Sequence, residues 1–354
     1  MKFLTTHLVV LAATPAAFGL VPLLDHIDLA VNYRPADSSW EWLLKTENED
    51  IHPALAYFPA RDAEYPDGEK DYRPAGSEWD FTGVAAEEAL WIYPESNDAY
   101  SWLGFGDTAA GLADPVKFTL TQALGPAGGH FALYRTIQGQ GVPTIFMSTA
   151  DGINAADVYA KPQGHHHLNW SFSRKGMWAL DLRVSALRSP SNLPTVAGPT
   201  DTTRLFFAIG EKATWRANRF EAANVMDETI AGEMADPDQD GWVNLLEYAF
   251  GGDPRQNGLR RSTSQASAAP VLQTIIHSGQ NYAGITFYRQ RDAALAELEY
   301  AVEWQSGLAS NAWITGGELH HTELIDTKWE RVTYRDSQPL TTAPRFIRIR
   351  VTAQ

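Results

Sequence analysis

Cysteine is absent from the 354 residues of this chain. Disulfides, thiol catalysis and cysteine-ligated zinc are therefore excluded, and an exported chain of this kind must rely on its core and on bound ions. Basic residues are also scarce, because 28 Lys and Arg face 43 Asp and Glu and leave a formal net charge of −15. This balance makes nucleic acid an unfavourable partner. No segment is long and apolar enough to predict a membrane span.

Motifs that mark common catalytic sites are missing as well. The sequence has no G-x-S-x-G elbow, no H-E-x-x-H pair, no phosphate loop and no dinucleotide fingerprint. Acidic residues are plentiful, so a pair of carboxylates could still form a glycosidase site, but spacing along the chain does not identify one. These absences favour a non-catalytic protein over an enzyme.

Residues 1–19 have the features of a bacterial Sec-type signal peptide. Lys2 supplies the positive start, residues 8–13 form a short apolar core, and Ala17 and Gly19 place small residues at a cleavage site. A buried N-terminal strand is the alternative. The C-terminal sequence carries no hydrophobic sorting tail, so we predict a secreted or extracellular surface protein without an anchor at that end.

Most of the chain has the alternation of polar and apolar residues that is typical of half-buried strands. Clusters of Gly, Pro, Asn and Asp separate the apolar stretches, and Trp reaches 12 residues. We predict a mostly β protein with two antiparallel β-sandwich domains joined by a short helical calcium-binding segment. The predicted boundaries are a signal peptide at 1–19, a histidine-bearing sandwich at 20–210, the helical segment at 211–260 and a C-terminal sandwich at 261–354.

Eleven segments carry this strand prediction, seven in the first sandwich and four in the second: 25–31, 40–45, 116–120, 131–134, 144–147, 178–184, 203–209, 283–288, 298–304, 329–334 and 346–351. Between the two groups, Ala and Glu enrichment predicts a helix over 215–234, and a shorter helix follows up to Phe250.

A run of twelve residues from Asp236 to Glu247 fits the calcium-loop pattern D-x-[DN]-x-[DN]-G-x5-E at every specified position. Calcium takes six to eight oxygen ligands at about 2.3–2.6 Å, and Gly241 provides the sharp turn that such a loop needs. The predicted ligands are the side chains or carbonyl of Asp236, Asp238, Asp240, Trp242, Asn244 and Glu247. An acidic turn that only caps the following helix is the alternative.

Three consecutive histidines, His165 to His167, suggest a second metal site. In a strand, His165 and His167 point to one face and His166 to the other. Two imidazoles on one face can share a zinc or copper ion if further ligands come from elsewhere, and the candidates are His26, Asp28 and His130. Histidines that only pack and hydrogen-bond, or that bind another ligand or respond to pH, are the alternatives.

Two regions resemble known families. His26-Ile-Asp-Leu-Ala-Val31, Trp102-Leu-Gly-Phe105, Gly129-His-Phe-Ala-Leu-Tyr134 and the segment Gly164–Gly176 resemble the choice-of-anchor M domain, an actinobacterial surface-anchored protein domain. The loop at Asp236–Pro254 and the β-region after it are similar to dockerin and thrombospondin type 3 calcium loops and to C-terminal modules of secreted Verrucomicrobia proteins. The resemblance implies a surface or secreted protein, linked in some cases to metal transport, with no established catalysis.

Three functions follow as hypotheses. The favoured one is a secreted non-catalytic calcium-binding protein whose first domain binds a metal, an extracellular ligand or a cell-surface component through its histidines. The second is a secreted polysaccharide-acting hydrolase with an accessory C-terminal module. The third is a structural subunit that self-assembles through free strand edges.

Overall fold

The structure is a computed structural model that describes residues 19–34, 39–64, 67–96, 101–106, 112–136, 141–188, 201–261, 264, 266–307, 313–341 and 344–354. The predicted signal peptide thus lies almost wholly outside the described residues.

The protein is mostly β, as the sequence predicts. The strands are β1 (Val21–Pro22), β2 (Asp25–Arg34), β3 (Ser39–Lys45), β4 (Asp50–Ile51), β5 (Ala56–Ala60), β6 (Lys70–Tyr72), β7 (Ala89–Tyr93), β8 (Ser101–Phe105), β9 (Leu112–Leu124), β10 (Phe131–Arg135), β11 (Thr144–Ser148), β12 (Val158–Lys161), β13 (His166–His167), β14 (Asn169–Phe172), β15 (Gly176–Arg188), β16 (Asp201–Ile209), β17 (Val271–His277), β18 (Gln280–Gln290), β19 (Leu298–Gln305), β20 (Ile314–Thr315), β21 (Glu318–Leu324), β22 (Trp329–Pro339) and β23 (Phe346–Ala353).

Helices are few and short among the described residues. They comprise α1 (Glu211–Arg219), α2 (Asn244–Phe250) and two 3₁₀ segments, Pro53–Leu55 and Ser77–Thr82. No helix in the described part of the chain has the length and apolar character needed to cross a bilayer.

Strands β1 to β16 form three sheets. Their orders are β1-β5-β16-β15-β9-β12, β11-β10-β14-β7-β6 and β13-β8-β2-β3-β4. Most neighbouring strands are antiparallel, as predicted, but β1/β5, β5/β16 and β2/β8 are parallel. The parallel β2/β8 pair places His26 opposite Trp102 and Asp28 opposite Gly104.

The three sheets enclose one aromatic-rich core. Its centre includes the fully buried Trp170, which lies 5.4 Å from Phe105 and 5.9 Å from both Phe131 and Phe207, measured between ring centroids. Trp40 and Trp42 are also buried, so β3 has one face in this core. Burial of large aromatic side chains supplies most of the hydrophobic stabilisation of such a core.

The first helix of this segment differs from its prediction at both ends, since α1 already begins at Glu211. The helix expected over 215–234 ends at Arg219, where Phe220 adopts an extended conformation, and residues 221–234 form successive turns. The side chain of Arg216 holds these turns by donating to the carbonyl oxygen of Val225 at 2.6 Å. The turns and α1 bury a second apolar cluster against the outer face of β15 and β16.

Strands β17 to β23 form two antiparallel sheets with the orders β17-β18-β22-β21 and β20-β19-β23. Phe287, Val332 and Trp304 lie in the core between them, and Phe250 at the end of α2 belongs to the same cluster. The last four residues of the acidic calcium-loop segment, Asp236–Glu247, form the start of α2, so this loop is attached to the core of the C-terminal sheets.

Polar contacts connect the helical segment to both groups of strands. The hydroxyl of Tyr57 in β5 donates to the side-chain oxygen of Asn218 in α1 at 3.1 Å, and Lys328, just before β22, lies 2.7 Å from Glu211 of α1. The buried hydroxyl of Tyr248 in α2 donates to the carbonyl oxygen of Ala296 at 3.1 Å. The segment that carries the acidic loop therefore lies at the junction of the two β-regions.

Candidate metal centres

The first candidate centre lies on one face of the sheet β13-β8-β2-β3-β4. Its residues come from two distant parts of the sequence, which β8 brings together by pairing with β2 on one side and with β13 on the other. In this register Gly104 of β8 lies opposite both Asp28 and His167. Side chains two residues apart on a strand share a face, so His26 and Asp28 point the same way.

Four ligand atoms converge there, from His26, Asp28, His165 and His167, all within 4.8 Å of one another. His26 Nε2 lies 3.2 Å from His167 Nε2, 3.4 Å from His165 Nε2 and 3.6 Å from Asp28 Oδ1. His165 Nε2 lies 2.7 Å from the same carboxylate oxygen. A neutral imidazole has one N–H, so His26 Nε2 can donate to only one of its three neighbours.

Two of these separations match the spacing of ligands around one cation, whereas the 2.7 Å contact of His165 with Asp28 is an ordinary hydrogen-bond distance. Four ligands at about 2.0–2.1 Å from a tetrahedral zinc ion are about 3.3–3.4 Å apart. The contacts of His26 Nε2 with the other two imidazoles, 3.2 and 3.4 Å, lie close to that spacing. The donor set of imidazoles and one carboxylate is also one that zinc and copper accept.

The environment keeps His167 neutral. Burial is the main cause that lowers its pKa to about 4, and the neighbouring His165 and His26 lower it further. Trp102 of β8 stacks on the ring of His167 with centroids 3.8 Å apart and planes 14° from parallel, which fixes its orientation. An oriented neutral imidazole is the form that ligates metals.

Gly104 provides the space for this arrangement. A Cβ at this position would lie 2.6 Å from His167 Cε1 and 2.8 Å from Asp28 Oδ1, which is closer than real contacts allow. At Gly106 on the same face, the nearest atoms would be at 3.4 Å, an ordinary contact. A methyl group at position 104 would therefore collide with His167 and Asp28, whereas one at position 106 would fit.

His166 points away from the cluster, as the alternation of the strand predicts. Its Nε2 lies 2.9 Å from the carbonyl oxygen of Gln163, and its Nδ1 lies 3.4 Å from Arg135.

His130 is not part of the cluster, although the sequence made it a candidate ligand. Its backbone N–H donates to Ser173 at 2.6 Å, at the far end of β14 from His167. Six residues of extended chain separate Ser173 from His167, a distance of about 20 Å at 3.3 Å per residue. Asp28 and the three other histidines form the group without it.

The second candidate centre is the acidic loop, in which Asp236, Asp238 and Asp240 offer oxygens within 4.8 Å of one another. Their carboxylates accept hydrogen bonds from backbone N–H groups of the loop. Asp236 accepts from Gly241 at 2.9 Å, and Asp240 accepts from Trp242 at 2.7 Å and from Gly258 at 2.6 Å. Gly241 has φ of 91°, the left-handed conformation that the sequence predicts for the sixth loop position.

Glu247 lies in α2 with its carboxylate turned into the protein. It is 0% exposed, and neither side-chain oxygen has a hydrogen-bond partner among the described residues. Burial, followed by the negative charges of Asp238 and Asp240, raises its pKa to about 9. Burial, followed by the negative charges of Asp240 and Asp236, also raises the pKa of Asp238, whose Oδ2 is buried without a partner among the described residues. A buried carboxylate facing like charges is unfavourable unless a cation compensates it.

The other two predicted loop ligands have structural contacts of their own. Asn244 is buried, and its Nδ2 donates to the carbonyl oxygens of Ile230 and Gly232 at 2.9 and 2.7 Å, while its Oδ1 has no partner among the described residues. Trp242 packs its ring against the C-terminal core. The Asn244 amide thus ties the loop to the preceding turns and leaves one oxygen available.

Sequence reasoning did not assign Trp102 and Gly104 to the histidine centre. Both lie in the Trp102–Phe105 segment, whose sequence resembles the choice-of-anchor M domain but contains no metal-ligating side chain. The alternation of Trp102, Gly104 and Gly106 does predict that the three residues share one strand face. Only the pairing of β8 with both β2 and β13 brings that face next to the histidines.

Comparisons with known proteins identify no family. No protein-family model matches the chain, and no curated protein matches it. Among solved structures, the secreted serine protease VesC from Vibrio cholerae aligns over 94% of this chain and 84% of its own, at 11% identity and a TM-score of 0.13. The resemblance to choice-of-anchor M and dockerin-like families stays a prediction, because no comparison tests it.

Proposed function

We propose that this chain is a secreted, non-catalytic protein that binds one transition-metal ion through His26, Asp28, His165 and His167. The observation that carries the proposal is the position of His26 Nε2, which lies within 3.6 Å of three other ligand atoms. Tetrahedral spacing favours zinc, whereas copper(II) prefers tetragonal arrangements of the same ligands.

The donor set also supports a binding role over catalysis. Structural zinc sites have four protein ligands, whereas catalytic sites keep one position for water or substrate. Three imidazoles and a carboxylate complete a four-coordinate shell, so no position remains for a substrate. The site is nevertheless near the surface, since the His165 side chain is 38% exposed, and metal can enter from solvent.

Calcium at the acidic loop is the second part of the proposal. The buried, unpartnered carboxylate of Glu247 faces the aspartate group, and a divalent cation there would offset two of the four negative charges and reduce the repulsion among them. Calcium accepts carboxylate oxygens in flexible geometry, which suits such a loop. Because the loop lies where α1, α2 and the C-terminal sheets meet, the ion would stiffen the junction between the two β-regions.

Secretion is proposed from the sequence of residues 1–19. Cleavage after Gly19 would leave Leu20 as the first residue, and Leu20 is the first buried residue of the described chain, with its N–H bonded to the Ala217 carbonyl at 2.9 Å. Mass spectrometry of protein recovered from the medium or periplasm of an expressing bacterium tests this, and a chain that keeps residue 1 would contradict it.

Metal analysis tests the histidine site. Protein stripped with a chelator, reloaded with zinc and dialysed should retain one equivalent by elemental mass spectrometry. The double variant His165→Ala/His167→Ala should retain none at this site, whereas His166→Ala, which removes a neighbouring histidine from the opposite face, should bind as the wild type does. Full zinc retention in the double variant would remove these residues from the site, and near-ultraviolet circular dichroism shows whether the variants keep their fold.

A further inference from the structure

A groove lies on the outer face of the sheet β11-β10-β14-β7-β6, away from both candidate metal centres. Alternate residues of this sheet point into the core, and the others point outward. Leu90, Ile92, Tyr134 and Asn169 are outward-facing and form the floor of the groove, with Tyr134 directly opposite Asn169 in the β10/β14 pair. The groove has a volume of about 300 Å³, at the lower end of the range for small-molecule sites.

The wall of the groove is a pre-formed 3₁₀ segment, Ser77–Thr82, that carries Trp79. The buried side chain of Arg73 holds this segment by donating to the carbonyl oxygens of Gly76 at 2.8 Å and Trp79 at 3.2 Å. The indole of Trp79 stacks on Phe81 and meets the ring of Tyr134 edge-on at 5.8 Å. Trp79 remains half-buried, so part of its indole is open to the groove.

One polar group in the floor has no partner. Tyr134 is only 3% exposed, and no described residue forms a hydrogen bond with its hydroxyl. Burial raises the pKa of this phenol above its usual value, so the hydroxyl stays protonated and can donate. Although the ring is buried, the hydroxyl keeps contact with solvent in the groove, so an acceptor on a ligand can take the place of water there.

The rim of the groove is polar. Asp71 is exposed, and the hydroxyl of Thr136, which donates to Glu95, lies beside the Tyr134 end of the floor. An apolar floor, an aromatic wall and a rim of hydrogen-bonding groups suit a ligand with one apolar face and several hydroxyls, which describes a sugar ring. The net charge of −15 disfavours an acidic glycan.

From these observations we infer that the groove between Trp79 and Tyr134 binds a neutral carbohydrate. The sugar ring packs its C–H face on the apolar floor and the indole, and one ring or hydroxyl oxygen accepts from Tyr134. This site is separate from the histidine cluster and from the acidic loop, so it needs neither metal.

Titration of the full chain with neutral tetrasaccharides of glucose, xylose, mannose and N-acetylglucosamine, followed by calorimetry and tryptophan fluorescence, tests the inference. At least one sugar should bind. Trp79→Ala should weaken that binding at least about 10-fold, and Tyr134→Phe, which removes only the hydroxyl, about 3- to 10-fold. Trp313→Ala removes a tryptophan outside the groove and should leave the affinity unchanged.

Several results would overturn the inference. These are no binding of any neutral sugar, equal binding by wild type, Trp79→Ala and Tyr134→Phe, or binding of acidic glycans or peptides only. Tyr134→Phe keeps the ring in place, so it remains informative if Trp79→Ala does not fold. Sugar binding should persist in the His165→Ala/His167→Ala variant, which separates this site from the proposed metal function.

Discussion

Replacing Glu247 with Gln should change stability in opposite directions with and without calcium. The carboxylate is fully buried with no protein partner, and its pKa is raised from 4.5 to about 9. At pH 7 without metal, the folded protein holds the Glu247 carboxyl protonated. This pH is about 2.5 units above the ordinary pKa of the group, so keeping the proton costs up to about 3 kcal/mol at 1.36 kcal/mol per unit. Glu247→Gln removes this cost while keeping the shape of the side chain.

In calcium the wild type should be more stable than Glu247→Gln. An ion that binds only the folded state stabilises it by about 2.7 kcal/mol at a concentration 100 times its Kd. The wild type should therefore gain this stability, whereas the variant lacks the carboxylate that closes the calcium shell and should gain little. Asp240 is a less decisive choice, because its carboxylate also accepts from two backbone N–H groups and its loss would destabilise the loop with or without calcium.

The sign of the pH dependence gives an independent check. Between pH 4.5 and 9 the unfolded chain has released the Glu247 proton, whereas the metal-free folded chain retains it. The unfolded state thus binds fewer protons, so stability in chelator should fall as pH rises across this window. This contribution should be absent from Glu247→Gln.

Urea denaturation and calorimetry in chelator and in excess calcium measure these effects. Glu233→Gln is the matched control, since Glu233 is an exposed carboxylate of the same segment that pairs with Lys212. The reasoning is wrong if Glu247→Gln is destabilised equally in both conditions, or if calcium stabilises wild type and variant to the same extent.

Other predictions concern the first β-region. Gly104→Ala should weaken zinc binding about 10- to 100-fold, the range seen when the surroundings of metal ligands are changed, and Gly106→Ala should not; equal affinities would contradict the role given to Gly104. The lowered pKa of His167 makes the metal-free protein lose stability as pH falls from 6.5 towards 4, because the unfolded chain binds the proton first; His167→Asn should flatten this slope in denaturation at each pH. Trp170→Ala should destabilise the protein by about 3–5 kcal/mol in urea, since it leaves a cavity among Phe105, Phe131 and Phe207; a loss below about 1 kcal/mol would mean that this core is not well packed.

Strand positions were predictable because they depend on local alternation. All eleven predicted segments lie within strands of the structure, including 25–31 in β2 and 346–351 in β23. The helix over 215–234 was overestimated for the same reason: its composition favours helix, but the turns after Phe220 are held by tertiary contacts such as that of Arg216 with Val225. Composition carries no information about such contacts.

The sequence alone determined the acidic loop and the opposite faces of His166 and its two neighbours, because the spacing of adjacent residues fixes both. Only the tertiary structure decided which distant residues complete the histidine centre. The parallel pairing of β2 with β8 brings His26 and Asp28 to His165 and His167 across about 140 residues, whereas His130 is directed to the far end of another sheet. Strand order and register arise from packing of the whole core, and no local pattern encodes them.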